Sequence, residues 1–408
     1  MDLSLTEEQQ LLQNSARDFL RQECPTTHVR AMEVDATGYS PELWQKITEL
    51  GWAGLMFPEQ YGGSGYTFVE LCVLMEECGR ALLPSPFHTT VLTFGLPVLF
   101  GGSEAQKARY LPAIAEGKHL GTLALTEPSA SFEPSGISVR AAARNGGFVI
   151  DGTKLFVANA HTADTLLVAV RTSDAGGPDV GMSLLLVPGN APGIEKTPLQ
   201  TIAADRQFEV EFRHVEVGAD ALLGQPHQGW SLIKQTIDYA TVAKCSEMVG
   251  IAQVAFDMAV DYAKNRVQFG RPIGSFQTIK HKCADMVIDV DGSRFITYRA
   301  AWCLANGQEV TKEIAMAKAW TSDACRRVCA AAHQIHGGIG FTKEYDLQLY
   351  FRRAKQGEVL YGDADIHARW WRKLSVCEAF WSSHGISLWC MPACMCLSRP
   401  QGLSIRSH

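Results

Sequence analysis

The chain has 408 residues, more than one compact core usually organises, so two or three domains are expected. Hydrophobic residues make up 46% and charged residues 20%, the composition of a globular protein rather than a disordered or membrane-embedded one. A net charge of −6 with no basic block argues against nucleic acid and anionic membrane surfaces, and no run of about 18 apolar residues offers a bilayer span.

The N-terminal stretch enters a helix at once. Thr6 with Gln9 three residues on makes a capping box, and Leu12, Ala16, Phe19 and Leu20 follow on one face. A basic region followed by an apolar one is missing, so no secretory route is expected and a cytoplasmic location is. The scatter of twelve cysteines, with Cys24, Cys72, Cys78, Cys245 and Cys283 in helix-like contexts, suits reduced thiols. Ser40-Pro41 starts a further helix with Leu43, Trp44, Ile47 and Leu50 inward, stopped by Gly51. Four glycines and polar neighbours make residues 57–65 a loop, and helical patterns return over 68–82 and 87–117. Residues 1–119 therefore read as an N-terminal α-helical domain.

The pattern changes near Gly121. Residues 122–125, 148–150, 155–157, 166–170, 183–187 and 208–212 are short and β-branched or alternating, separated by glycine-rich turns. Without intervening helices they predict a middle antiparallel β-barrel or sandwich, residues 120–227. From Gly229 the helical period returns. Residues 231–266 contain no proline and one glycine, Gly250, enough for a helix of about 50 Å. Three more helical patterns, 275–305, 309–333 and 344–374, predict a C-terminal four-helix bundle over 228–375. The expected fold class is thus α+β multidomain. Residues 376–408 form an irregular tail whose Cys390, Cys394, Cys396 and His384 match no standard zinc spacing, so no metal is expected.

The stretch from Tyr262 to His281 joins the first two bundle helices. Arg266 can fork onto a phosphate, Phe269 offers a flat apolar face, Gly270, Pro272 and Gly274 force a turn, and Ser275 is placed to cap a helix whose first turn carries Gln277. A phosphate-binding loop and an ordinary interhelical loop both fit these residues.

Four stretches in register carry a family likeness. They are Ala124-Leu125-Thr126-Glu127-Pro128, the segment from Gly152 to Asn159, Arg266-Val267-Gln268-Phe269-Gly270 with Phe276-Gln277, and the run from Gln334 through Ile335, His336, Gly337 and Gly338 to Tyr345. In this order, over about residues 3–375, they resemble the acyl-CoA dehydrogenases. The resemblance implies FAD as cofactor, an acyl-CoA thioester as substrate, and an electron-transfer flavoprotein as electron acceptor. It places Leu125, Thr126 and Phe156 at the flavin ring, and Arg266, Gln268, Phe269, Gln277 and Gln334 to Gly338 against the cofactor of a neighbouring subunit. A homotetramer, or a heterotetramer with a homologous chain, follows. His336 is read as a turn histidine without an acid–base task. Asp238 and Thr241 fall where the family contacts substrate.

The reaction so implied removes two hydrogens from the α and β carbons. A carboxylate whose pKa is raised by burial takes the α proton, and the β hydrogen leaves as hydride. Here the chain departs from its relatives. Many carry Tyr-Glu-Gly-Thr before the last helix, the glutamate being the base; this chain has Leu360-Tyr361-Gly362-Asp363-Ala364-Asp365, read as one residue shorter, with Gly362 in the glutamate's place. The alternative base position on the first bundle helix falls at Ala240. Asp363, Glu247 (two turns beyond Ala240) and Asp365 (equally a helix N-cap) remain candidates, as does a chain without a base. Ser131 and Phe132 replace the usual Gly-Ser pair, with Phe132 expected to crowd the pocket. Open alternatives are a flavin oxidase or monooxygenase on the same fold, and a subunit that completes a partner's cofactor site.

Overall fold

In the computed structural model, the described residues are 4–374 without 175, 176 and 178. The tail residues Cys377, His384, Cys390, Cys394 and Cys396 lie outside them. The eight described cysteines are all unpaired. No helix among the described residues is long and apolar enough to cross a membrane.

Six helices open the chain: α1 (Glu7–Glu23), α2 (Thr26–Val34), α3 (Pro41–Glu49), α4 (Phe68–Ala81), α5 (Leu96–Gly101) and α6 (Glu104–Ala115). The expected Thr6–Gln9 capping box forms in both directions. Helix α2 was not legible, because Pro25 precedes it without a capping side chain. The continuous helix expected over 87–117 is broken. A π-helical segment (His88–Gly95) runs into α5, and Ser103 starts α6 with its own capping box.

The middle region is an eight-stranded sheet: β1 (Gly121–Ala124), β2 (Arg140–Arg144), β3 (Gly147–Ala158), β4 (Thr165–Arg171), β5 (Met182–Pro188), β6 (Ile194–Leu199), β7 (Gln207–Gly218) and β8 (Leu222–Leu223). Its order is β6-β7-β3-β2-β4-β5-β8, with β1 beside β4. The sheet does not close on itself, so the sandwich alternative holds and the barrel does not. Pairing is antiparallel except where β1 and β2 meet β4. Two expected strands merge into β3, whose pairing with β7 slips between Ile150 and Gly152 and again between Lys154 and Val157. The second slip is a bulge, which re-aims side chains at the edge of a cleft.

Helix α7 (Gly229–Asn265) begins the C-terminal region, followed by the two-residue ribbon β9 (Val267–Gln268) and β10 (Arg271–Pro272). Then come α8 (Gln277–Ala305), α9 (Thr311–His336), α10 (Leu347–Val359) and α11 (Ala364–Leu374). The cap expected from Ser275 does not form. Its hydroxyl donates to the Pro272 carbonyl instead, and Phe276 stands at the helix start with no side-chain bond. The pattern over 344–374 is two helices, because Tyr361 (φ 62°) and Gly362 (φ 94°) turn the chain left-handed between them.

Helix α4 crosses α7 at backbone contact. A Cβ on Gly79 would fall on the Glu247 carbonyl, and one on Gly250 on the Glu76 carbonyl. These two glycines let the helices approach with no side chain between them, and they fix where Glu247 sits relative to the N-terminal helices. The register is pinned further by Glu76, which accepts from Arg294 at 3.1 Å and from the Tyr298 hydroxyl at 3.1 Å.

Candidate active site

A cavity of about 940 Å³ lies where the N-terminal helices, the sheet and the bundle meet. One wall is a stripe along α7: Trp230, Lys234, Asp238, Thr241, Lys244 and Glu247, spaced three or four residues apart so that they share a face. The opposite wall comes from Leu125, Thr126, Phe132 and Phe156.

The sheet-side wall is built from below. Glu127 and Lys154 form a closed ion pair (Nζ to Oε1 2.6 Å), their side chains 2% and 0% exposed. Glu127 also accepts from the Ser138 N–H and hydroxyl and the Val139 N–H, while Lys154 donates to the Leu125 carbonyl at 3.1 Å. The Leu155 N–H holds the Thr126 carbonyl at 2.8 Å. Thr126 is thereby fixed with its own N–H and hydroxyl bonded to no other described residue. The bulge after Lys154 puts Phe156 at φ 54° and leaves it 54% exposed, an aromatic face turned out of the sheet into the cavity. Phe132 lines the same space, where the sequence had it crowding the pocket.

On α7, Asp238 accepts from Lys234 at 2.7 Å, and burial raises its carboxyl above the ordinary value despite that ammonium. Deeper along the helix Lys244 and Glu247 pair at 2.5 Å, both buried. Burial pushes the Glu247 carboxyl up, yet Lys244 and then Arg353 hold it below its ordinary value. The shift is opposite to the one expected of a base in an apolar pocket. His88 Nε2 lies 2.8 Å from the Tyr361 hydroxyl, and burial pushes the imidazole down to about 3, so it is neutral near pH 7. Burial first, then Glu247, raises the Tyr361 phenol.

Of the candidate carboxylates, the cavity takes in only Glu247. Asp363 accepts from the Ile366 N–H at 2.9 Å and caps α11, the task the sequence gave as an alternative for Asp365, which instead lies exposed in the first turn. Sequence reading overlooked His88, Lys244, Arg353 and Tyr361. They sit on separate parts of the chain, and only Tyr361 falls in a recognisable motif, beside Gly362.

The bundle-side residues lie elsewhere. Arg266, Gln268, Phe269 (91% exposed), Gln277, Gln334, Gly337 and Gly338 are all exposed and outside the cavity, whereas Ile335 and His336 are buried. Tyr262 stacks on His336 at 4.5 Å, joining the C-terminal ends of α7 and α9, so the two groups form one surface. His336 is tied to the Ala332 carbonyl and the Tyr345 hydroxyl, at 2.8 and 3.1 Å, and burial lowers its pKa. Nothing stands within 4 Å of a Cβ placed on Gly337 or Gly338, leaving the backbone open to close approach. Arg266 follows Thr241 by 25 residues, which at about 1.5 Å per residue is roughly 37 Å. Arg266 and its neighbours therefore stand far along α7 from the cavity stripe. Each half fits a flavin: an exposed ring-sized face with two free donors at one end, and a guanidinium, an amide and bare glycine backbone at the other.

Three family models match the chain: acyl-CoA dehydrogenase N-terminal domain over residues 6–118, middle domain over 122–215 and C-terminal domain over 227–373. The chain is 36% identical over 373 residues to a probable acyl-CoA dehydrogenase, YngJ, of Bacillus subtilis, covering 90% of this chain and 97% of that one. The structure of butyryl-CoA dehydrogenase from Megasphaera elsdenii superposes with a TM-score of 0.85 at 30% identity, covering 92% and 99%. The ChsE4-ChsE5 complex from Mycobacterium tuberculosis gives 0.83 at 26% identity, covering 95% and 100%.

Proposed function

The chain belongs to the acyl-CoA dehydrogenase family, whose cofactor is FAD, and from that membership we propose that it carries out α,β-dehydrogenation of an acyl-CoA thioester to the 2-enoyl-CoA. The observation that carries this reading is the shared cavity: Thr126 with its free donors and the out-turned Phe156 face the α7 stripe across one space. FAD, when bound, supplies the hydride acceptor. Leu125, Thr126 and Phe156 would hold its ring, and Arg266, Gln268, Phe269, Gln277 and Gln334 to Gly338 of a second chain would hold its phosphates and adenine side. A homotetramer or a heterotetramer with a homologous chain satisfies both half-sites, in a cytoplasmic setting with an electron-transfer flavoprotein as acceptor.

Within the cavity the chain's own residues divide the work. Asp238 and Thr241 line the acyl-CoA path, and the apolar walls exclude water from the reacting carbons. Glu247 is the carboxylate we assign to the α proton. Lys244 keeps it ionised across the neutral range, at the cost of a weaker base than an unpaired buried carboxylate would be. Substitution Glu247→Gln is expected to leave flavin bound and to abolish anaerobic bleaching by acyl-CoA, a loss of at least about 100-fold for a general base. Bleaching at the wild-type rate would remove Glu247 from this role.

A second reading has one specific observation in its favour. Taking Gly362 as the glycine of the family's Tyr-Glu-Gly-Thr motif puts Tyr361, not a carboxylate, in the glutamate's place, with its hydroxyl occupied by His88. A chain of that kind completes the flavin site of a homologous partner. A purified chain that is colourless alone and turns yellow only when co-expressed with a homologue supports this alternative; a yellow homo-oligomer bleached by acyl-CoA supports the first.

A further inference from the structure

The deep end of the cavity is more polar than an alkyl chain tolerates. Lys244 and Glu247 on α7, His88 on the π-helical segment, Arg353 on α10 and Tyr361 beyond it all line the same space. Four of these groups are paired: Lys244 with Glu247, and Tyr361 with His88. Arg353 is different. It is half-buried and lines the cavity, and it forms no hydrogen bond or ion pair with any described residue, although its charge acts on Glu247. Nearby Arg352 and Lys355 are both paired, with Glu33 and Glu358. With His88 neutral and Lys244 offset by Glu247, the cluster carries one positive charge in excess. A saturated hydrocarbon tail packed here would strip water from the Arg353 guanidinium and give nothing back, which is unfavourable for a charge.

We propose that this cluster is a recognition site for a carboxylate on the acyl group, so that the chain takes acyl-CoA thioesters bearing a second, distal carboxylate. The guanidinium of Arg353 supplies a planar fork that matches a carboxylate, and the Lys244 ammonium adds to the local field. The Tyr361 hydroxyl borders the same space, and with His88 Nε2–H as the donor of their shared bond its own hydrogen is available to the carboxylate's second oxygen. The inference rests on the acyl-CoA reading above.

Binding of CoA thioesters to the flavin-loaded protein, followed by calorimetry, tests it apart from turnover. The probes are glutaryl-, adipyl- and suberyl-CoA against butyryl-, hexanoyl- and octanoyl-CoA. The best carboxyacyl-CoA is expected to bind roughly 30-fold more tightly than the best alkyl one, about 2 kcal/mol at 1.4 kcal/mol per tenfold. In Arg353→Met that ratio falls toward one, while Arg353→Lys keeps part of it; flavin content and thermal midpoint verify that both variants fold. Equal or tighter binding of the alkyl series by the wild type, or a ratio unchanged in Arg353→Met, overturns the proposal. Preferential binding of a carboxyacyl-CoA without anaerobic bleaching would leave the subsite standing and count against the dehydrogenase reading. Bleaching by alkyl thioesters with no binding preference would do the reverse.

Discussion

Lysine 154 is the test of how the flavin-edge loop is held. In Lys154→Met the side chain keeps its volume but loses the ammonium that bonds Glu127 Oε1 at 2.6 Å and the Leu125 carbonyl at 3.1 Å. The Lys154 and Glu127 side chains are almost fully enclosed, so water cannot replace the ion pair that is lost. Breaking one side of a buried ion pair costs about 3–5 kcal/mol; the lower end applies, because Glu127 keeps its bonds from Ser138 and Val139. The expected loss is therefore about 3 kcal/mol, read from urea unfolding by circular dichroism, with a lowered fraction of retained flavin because the loop under Leu125 and Thr126 loosens. The double variant Glu127→Gln/Lys154→Met removes both charges and should cost clearly less than the sum of the singles. A single-variant loss under about 1 kcal/mol, or a double variant as costly as the sum, refutes the argument.

The same pair gives a pH signature. Burial raises Glu127, but Lys154 and the hydrogen bonds from Ser138 and Val139 leave its folded-state value below the ordinary 4.5. Its contribution is present above 4.5 and is lost as the pH falls below it. Lys154 is brought from 10.5 to about 8 by burial, against the pull of Glu127. Between those values the unfolded chain holds more protons, so this group makes the wild type gain stability as pH rises from about 8 to 10.5. Lys154→Met is expected to lack that gain.

Gly250→Ala is expected to destabilise by about 1–3 kcal/mol or more in the same assay, since its methyl would meet the Glu76 carbonyl, on a residue that Arg294 and Tyr298 hold in place. A neutral result would mean that α4 and α7 can part without cost. Asp363→Ala should lose about 1 kcal/mol, as expected for an N-cap, and retain flavin and its reduction by acyl-CoA. Abolished bleaching with flavin still bound would return Asp363 to candidacy as the base.

What the sequence revealed and what it hid follow from the range of the interactions. The Arg266–Gln277 loop and the glycines after His336 are local devices, and their residue types announce exposure and close backbone approach wherever they fold. The helical periods of α1, α4, α7 and α9 were legible for the same reason. Helix α2, the strands β2, β6 and β8, and the break at Tyr361–Gly362 were not; β2 and β6, for example, are mostly exposed strands held by pairing with β3 and β7 and carry no buried face to announce them. The deep end of the cavity is the extreme case. Lys244 and Glu247 read as one more i, i+3 pair on a long helix, a pattern that ordinarily marks a solvated face. The close crossing of α4 on α7 covers that pair on one side, while Arg353 comes to it from α10, which packs on α7 where Gly357 meets Met248. For that reason a Gly250 substitution should disturb substrate recognition as well as stability, although Gly250 itself does not line the cavity.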